Sequence, residues 1–260
     1  MPTTGKAAQS PSPATPARRT VHMVIQPKGG VGKSFVASLL ADYFRSKGNL
    51  GLCIDLDVSN VTFGEYSEFD VKRIDLIENK RVDQRRFDNF VADLLGKSGD
   101  VVVDTGANTY HPLTSYLHEE GSIRDLIGSG IDIVLHVPVT TAVAETLEGL
   151  EDIARLFPDM DGLSIVVWAN QTFGPIVLRG QPIEHIDSYK ALKADGRLDI
   201  EITLPKMEES TGETAVRNAI RLRRSLTDMA SDETIPTVER WRYRRIAREL
   251  FEAMDKVGIH

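Results

Sequence analysis

Cysteine is nearly missing from this chain. Cys53 is its single cysteine, so no disulfide can close within it and no Cys-x-x-Cys pair offers a seat for zinc or an iron–sulfur cluster. Cys53 lies in the apolar run "LGLCIDLD", which reads as a core thiol. Long apolar runs are missing too: none approaches the roughly 20 residues that cross a bilayer. Residues 1–20 contain no acid and no apolar core, and they are rich in Pro, Ala, Ser and Thr. Such a segment cannot offset its chain entropy by burial, so it reads as a disordered tail, made basic by Lys6, Arg18 and Arg19. It has no secretory apolar segment, and the expectation is a cytoplasmic protein. A net positive charge is also lacking. The formal charge of -7 argues against a surface that coats nucleic acid everywhere, while leaving local basic patches open.

What is present is a globular composition, 41% hydrophobic and 27% charged, over 260 residues. Apolar β-rich runs alternate with helical patterns. Strands are expected at 21–26, 50–57, 100–108, 131–140, 163–171 and 198–206, with a shorter one at 71–78. Helices are expected after the glycine-rich loop, at 84–96, 142–157, 182–194, 211–228 and 236–257. The first helix carries Val36, Leu39, Leu40, Tyr43 and Phe44 at helical spacing, and Gly48 is its stop signal. Near-continuous apolar strands between helices imply a doubly wound α/β fold, a mostly parallel sheet with helices on both faces. No linker or repeat interrupts residues 21–260, which read as one domain.

The most informative stretch is "MVIQPKGGVGKSFVASLLADYF". A strict G-x-x-x-x-G-K-S loop fails because Pro27 occupies the first glycine position, but Lys28-Gly29-Gly30-Val31-Gly32-Lys33-Ser34-Phe35 keeps the chemistry. Glycines let backbone N–H groups converge on phosphate oxygens, and the positive end of the next helix points at the same place. Lys33 would reach the β- and γ-phosphates and the Ser34 hydroxyl would ligate Mg²⁺. Carboxylates stand where two strands end: Asp57 in "DLDVSN" and Asp104 in "VVVDTGAN". The carboxyl ends of strands are the ligand side of an open parallel sheet.

"KGGVGKS" resembles the deviant Walker A motif of the ParA/MinD group of ATPases. The resemblance implies an ATP-sandwich homodimer in which Lys28 crosses to the partner's nucleotide. It gives Asp57 the switch I role of positioning the attacking water. It also gives Asp104 a place in the Mg²⁺ shell, through water. The family's Asp-x-Asp-Pro-Gln is broken here by Val58 and Ser59, and its Asp-Thr-Pro by Gly106. Gly106 and Asn108 would serve the second switch. In "VVWANQ", Asn170 falls at the family's base-binding position, and Leu204-Pro205-Lys206 stands for its Ile-Pro-Arg segment, so Pro205 and Lys206 would flank the adenine. No Asn-Lys-x-Asp guanine motif is present, which favours ATP. "HVPVTTAVAETLEGLEDI" matches the family's Val-Pro segment around Pro138. A narrower resemblance, carried by "VKRIDLIENKRVDQRRFDNFVADLL" and "VVVDTGANTYHPLTSYL", is to the TraL proteins of conjugative plasmids.

These resemblances imply a slow, partner-stimulated, Mg²⁺-dependent ATPase acting in conjugal transfer or in positioning a DNA-related cargo. The activating partner is unidentified. Arg217, Arg221 and Arg224 offer a nonspecific DNA contact, which needs only positive charge. The alternatives are an ATP-dependent ligase or kinase of the same fold, or a nucleotide-sensing regulator with little hydrolysis. Glu249, Glu252 and Asp255 dilute the positive face of the last helix and disfavour membrane binding.

Overall fold

The computed structural model describes residues 19–96, 98–119, 121–140, 145–158, 160–171, 176–178, 180–194, 200–204 and 212–259. Residues 1–18 of the expected tail lie outside them, as do Pro205 and Lys206. The chain opens with β1 (Arg19–Val24), α1 (Lys33–Lys47) and β2 (Leu50–Asp55). Next come the short strands β3 (Lys72–Arg73), β4 (Ile77–Glu78) and β5 (Arg81–Val82), then α2 (Gln84–Gly96) and β6 (Asp100–Asp104). After these follow α3 (Ala107–Glu119), α4 (Ser122–Gly128), β7 (Ile131–Val139), α5 (Glu145–Leu156) and β8 (Leu163–Asn170). The remainder comprises β9 (Val177–Leu178), β10 (Gln181–Pro182), α6 (Asp187–Ala194), β11 (Ile200–Leu204), α7 (Gly212–Leu222), α8 (Leu226–Ser231) and α9 (Thr237–Lys256).

Seven parallel strands form the main sheet in the order β11-β8-β7-β1-β6-β2-β3. Alternate side chains of each strand enter opposite cores, as the period of two requires. Met23, Ile25, Val101 and Val103 pack with Phe90, Tyr110, Leu126 and Leu150 on the face covered by α2 to α6. Val24, Val102 and Trp168 pack on the other face with Leu40 of α1, Val216 of α7, Met229 of α8 and Leu250 of α9. Both faces are covered, which explains why the central strands β6 and β8 carry near-continuous apolar runs, while the edge strand β11, "IEITL", alternates. The register sets Val24 beside Asp104, and Asp104 beside Asp55. The carboxyl ends of β1, β6 and β2 are therefore level, and three loops start from one line.

The helix stop at Gly48 is present. Its φ is 72°, and the Asn49 N–H closes the helix on the Phe44 carbonyl at 2.9 Å. Five expectations shift. The tail expected over 1–20 gives up its last two residues, because β1 begins at Arg19 and pairs there with Ile131 of β7. The run 71–78 divides into β3 and β4; β4 pairs with β5 across Asn79 and Lys80, both with positive φ, which is hairpin-turn geometry. The strand expected at 100–108 stops at Asp104, and α3 and α4 fill the crossover behind it. Pro112 inside α3 blurs that helix's signal. The helix expected from 182 begins at Asp187, after the β9–β10 hairpin. The region 211–228 breaks after Leu222, where Arg223 has φ 53° and Ser225 caps α8 by accepting from the Asp228 N–H.

One polar chain crosses the core beneath α1. The Trp168 indole N–H donates to His136 Nδ1 at 2.9 Å, which places the His136 hydrogen on Nε2. That nitrogen donates to His22 Nδ1 at 3.0 Å. His22 Nε2 has no partner, and its ring packs on Phe44 with centroids 4.5 Å apart. Burial pushes His22 down to about 3, and burial together with His22 pushes His136 well below the usual histidine range.

Candidate functional site

Residues 25–32 form the loop between β1 and α1. Gly30 and Gly32 have φ values of 74° and 98°, a region that side chains rarely adopt. The Val36 N–H bonds to the Gly32 carbonyl at 2.9 Å, so the helix is already wound when the loop ends. Two buried amides hold the loop. Gln26 Nε2 donates to the carbonyls of Pro138 (2.9 Å) and Thr146 (3.1 Å). Asn170 Nδ2 donates to the Val31 carbonyl at 3.2 Å, and a Cβ on Gly32 would lie 3.1 Å from that same nitrogen. Asn170 therefore braces the loop from the end of β8, a role its position in the sequence did not reveal.

The two lysines part company. Lys33 is 8% exposed, and its ammonium donates to the Lys28 carbonyl at 2.7 Å. Burial lowers its pKa, while Asp104 and Asp57 act to raise it. Lys28 points elsewhere: its side chain is half-exposed and reaches Glu145 at the start of α5, 3.9 Å away.

The carboxylates sit at three depths. Asp104 is buried, and neither of its carboxylate oxygens has a hydrogen-bond partner. Burial pushes it up to about 8; the Ser34 hydroxyl and Lys33 pull the other way, and Asp55 and Asp57 reinforce the rise. Asp55 accepts the backbone N–H groups of Asp57 and Gly64, each at 2.8 Å, and so folds the chain after β2 back over the strand end. Burial raises the Asp55 pKa against those bonds. Asp57 stands highest, its Oδ1 accepting from the N–H groups of Ser59 and Asn60 at 3.0 Å.

Asp57 rests on Gly106. A Cβ there would lie 2.7 Å from Asp57 Cγ, so any side chain at 106 would push Asp57 aside. The loops after β2 and β6 are laced together further on: Asn108 Nδ2 donates to Ser59 Oγ at 3.1 Å, and Thr109 Oγ1 to the Leu56 carbonyl at 2.9 Å. Asn108 thus joins the two loops expected to act as switches.

These parts enclose a cavity of about 710 Å³. Gly29, Gly30, Gly32, Lys33, Ser34, Phe35, Asp57 and Asn170 line it, all named from sequence. Val31 is buried behind the loop and Lys28 is not part of the lining. The lining also includes residues that sequence reading missed: Asn60, Thr62 and Ala107, and Val216 and Ile220 of α7. Asn60 and Thr62 carried a faint signal as short polar residues just past a strand end. Val216 and Ile220 read only as core.

The arginines grouped as a DNA contact separate. Arg217 lines the cavity, and Arg224 is held by Asp228 and Asp232, each at 2.6 Å. Arg221 is exposed. On α9, Arg245 and Arg248 pair loosely with Glu249 and Glu252.

The residues fit a Mg²⁺–nucleotide. The loop glycines and Lys33 line the cavity. Below them lies a buried carboxylate whose oxygens lack partners, close to a hydroxyl, which is the oxygen donor set Mg²⁺ takes, commonly through water. Among the described residues no group of three or more His, Cys, Asp or Glu forms a metal cage, and no helix is long and apolar enough to cross a membrane.

The chain is 34% and 32% identical to two proteins from Escherichia coli, both named Protein TraL. Each alignment runs over 241 residues, 92% of this chain and 98% of the relative. Among solved structures it resembles the MinD cell division protein of Aquifex aeolicus (15% identity, TM-score 0.42), with 90% of this chain and 97% of that one covered. It also resembles a plasmid partition protein of Borrelia burgdorferi bound to AMPPNP (15% identity, TM-score 0.45), with 90% and 99% covered. The family model described as the CobQ/CobB/MinD/ParA nucleotide binding domain matches residues 22–230, well over half the sequence, and the chain belongs to that family.

Proposed function

We propose that this protein is an ATP-binding and ATP-hydrolysing switch that dimerises around its nucleotide. We place its action in conjugal transfer, or in partition or positioning of a DNA-related cargo, inside the cytoplasm. One observation carries the reading. Lys33, Ser34 and Asp57 line a single cavity, and Asp104 is a buried carboxylate on which Lys33 and the Ser34 hydroxyl both act.

Each residue has a task in this reading. The loop N–H groups and Lys33 hold the β- and γ-phosphates. Ser34, with Asp104 acting through water, would hold Mg²⁺, which when bound neutralises charge on the phosphate oxygens. Asp57 orients the attacking water. Pro205 and Lys206 flank the adenine. Lys28 serves a partner's phosphates, as an arginine finger does. Its half-exposed side chain, turned outward to Glu145, supports that assignment. An exposed ion pair of this kind is worth about 0–1 kcal/mol, so leaving it costs little. The lysine's delivery by a partner makes hydrolysis depend on dimerisation and on an activating protein. A DNA contact, on this reading, falls to Arg221 and to the arginines of α9.

Calorimetry with ATP and ADP, followed by light scattering, tests the proposal. Wild type should bind both nucleotides and double its mass with ATP alone. Lys33→Ala should lose at least about 100-fold in affinity, or roughly 2.7 kcal/mol. Unchanged affinity in that variant would remove the phosphate-loop reading.

A further inference from the structure

Helix α9 turns its apolar side inward. Tyr243, Ile246, Ala247, Leu250 and Met254 are buried in the core it shares with α1, α7 and α8. Its outer face should then be polar, and in its first half that face is not. Trp241 is 59% exposed, and Val238, one turn earlier, is exposed as well. Arg244, Arg245 and Arg248 follow Trp241 by three, four and seven residues, so they share its face, and all three are exposed. The acid of this half is Glu239, two positions before Trp241 and so off that face. Among the described residues the Arg244 guanidinium has one partner, the Ala230 carbonyl at 3.5 Å.

A groove of about 530 Å³ runs beside this face, between the end of α1, α8 and α9. Lys47, Arg244 and Arg248 line it with the hydroxyl residues Ser46, Thr227 and Ser231, and none of these lines the nucleotide cavity. The two acids of the groove are engaged. Asp255 accepts from Tyr43 and Lys47 at 2.7 and 2.8 Å, and Glu252 stands 3.8 Å from Arg248.

We propose that this face of α9 binds single-stranded nucleic acid, with Trp241 stacking on an unpaired base and Arg244, Arg245 and Arg248 on the phosphates. The arginines alone do not choose a form, because phosphate contacts need only positive charge. The tryptophan does. Duplex bases are covered by their neighbours, whereas each base of a single strand can offer its face to an aromatic ring, whatever the sequence. The pairs Arg245–Glu249 and Arg248–Glu252, at 4.0 and 3.8 Å, are loose and exposed and yield readily to a phosphate. A bilayer suits this face less, because the apolar side of α9 is committed to the core. The inference rests on the DNA contact assigned above to α9 and narrows it to the single-stranded form.

Trp168 is fully buried and Trp241 is the other tryptophan, so a change in indole emission reports on this face. The full-length protein with ATP is titrated at low salt with oligo(dT) of about 20 nucleotides, longer than a site of roughly 4–16, and with a duplex of equal length. Oligo(dT) should quench the emission. Trp241→Ala should lose about tenfold for oligo(dT) and less than about twofold for the duplex, while Trp241→Phe keeps most of the affinity. Arg244→Ala should weaken both ligands and lower the oligo(dT) salt slope by about 0.7. Circular dichroism melts matching wild type confirm that each variant folds. No loss in Trp241→Ala, or an equal loss for both ligands, would overturn the proposal; duplex binding that still falls in Arg244→Ala would leave the broader DNA contact standing. Quenching by phosphatidylglycerol vesicles and not by oligo(dT) would overturn it in favour of a membrane surface. Binding of neither nucleic acid would remove the DNA contact too.

Discussion

His22→Phe isolates one titrating group in the core. His22 is 1% exposed, and phenylalanine can fill its place against Phe44. The substitution leaves the His136 Nε2–H without its acceptor, at a cost of about 1–3 kcal/mol at neutral pH. Acid acts in the other direction on the difference. A histidine held neutral in the folded state near pKa 3 gains its proton first on unfolding, around pH 6.5. Its stabilising effect is complete above that value and is lost as pH falls, by about 1.4 kcal/mol per unit until the folded pKa is reached. Between about pH 7.5 and pH 5 the loss is near 2 kcal/mol for His22. Asp100 and Asp104, raised by burial to about 6 and about 8, take up protons in the folded state over the same window and offset this. The pH profile of either protein alone is therefore a poor guide, and the gap between the two is what matters. Urea unfolding followed by the fluorescence of buried Trp168 should show wild type ahead at neutral pH and the gap closing by about 2 kcal/mol toward pH 5. A gap that stays constant within about 0.5 kcal/mol would refute the neutral, buried state of His22.

Other outcomes follow from the same geometry. Gly106→Ala drives a methyl against Asp57 at 2.7 Å, so steady-state hydrolysis should fall at least about tenfold while ATP affinity changes less than about threefold. Asp57→Ala should hold the protein with ATP uncleaved, and single-turnover assays at the wild-type rate would remove its role. Asp42 is 1% exposed and accepts from Arg45 at 3.1 Å and the Thr227 N–H at 3.0 Å, so Asp42→Ala should cost about 2–3 kcal/mol in urea unfolding.

Much of the fold was legible because parallel strands covered on both faces must be apolar throughout, and "DVVVD" or "LSIVVWAN" can be little else. The phosphate loop was legible because chemistry fixes its glycines and lysines in consecutive positions. The hidden parts depend on tertiary placement. Arg217 and Arg224 belong to one run of positive charge in the sequence, and the fold parts them: Arg217 lines the cavity, while Asp228 and Asp232, just downstream in the chain, hold Arg224. Asn170 was found by its place at a strand end, but its amide is bound to the loop carbonyl of Val31. The break at Arg223 has no glycine or proline to mark it; Glu65 and Glu68, far away in the chain, hold it.

The central claim is that Lys28 acts across a dimer on the nucleotide held by its partner's Lys33. Mixing Lys28→Ala with Lys33→Ala tests it most directly. Each variant alone should be almost inactive, the first lacking the crossing lysine and the second the nucleotide. In the mixed dimer, ATP bound to the Lys28→Ala protomer receives the intact Lys28 of the other chain, so hydrolysis should reappear on mixing. A mixture no more active than its two components, under conditions where mixed dimers form, would contradict the account.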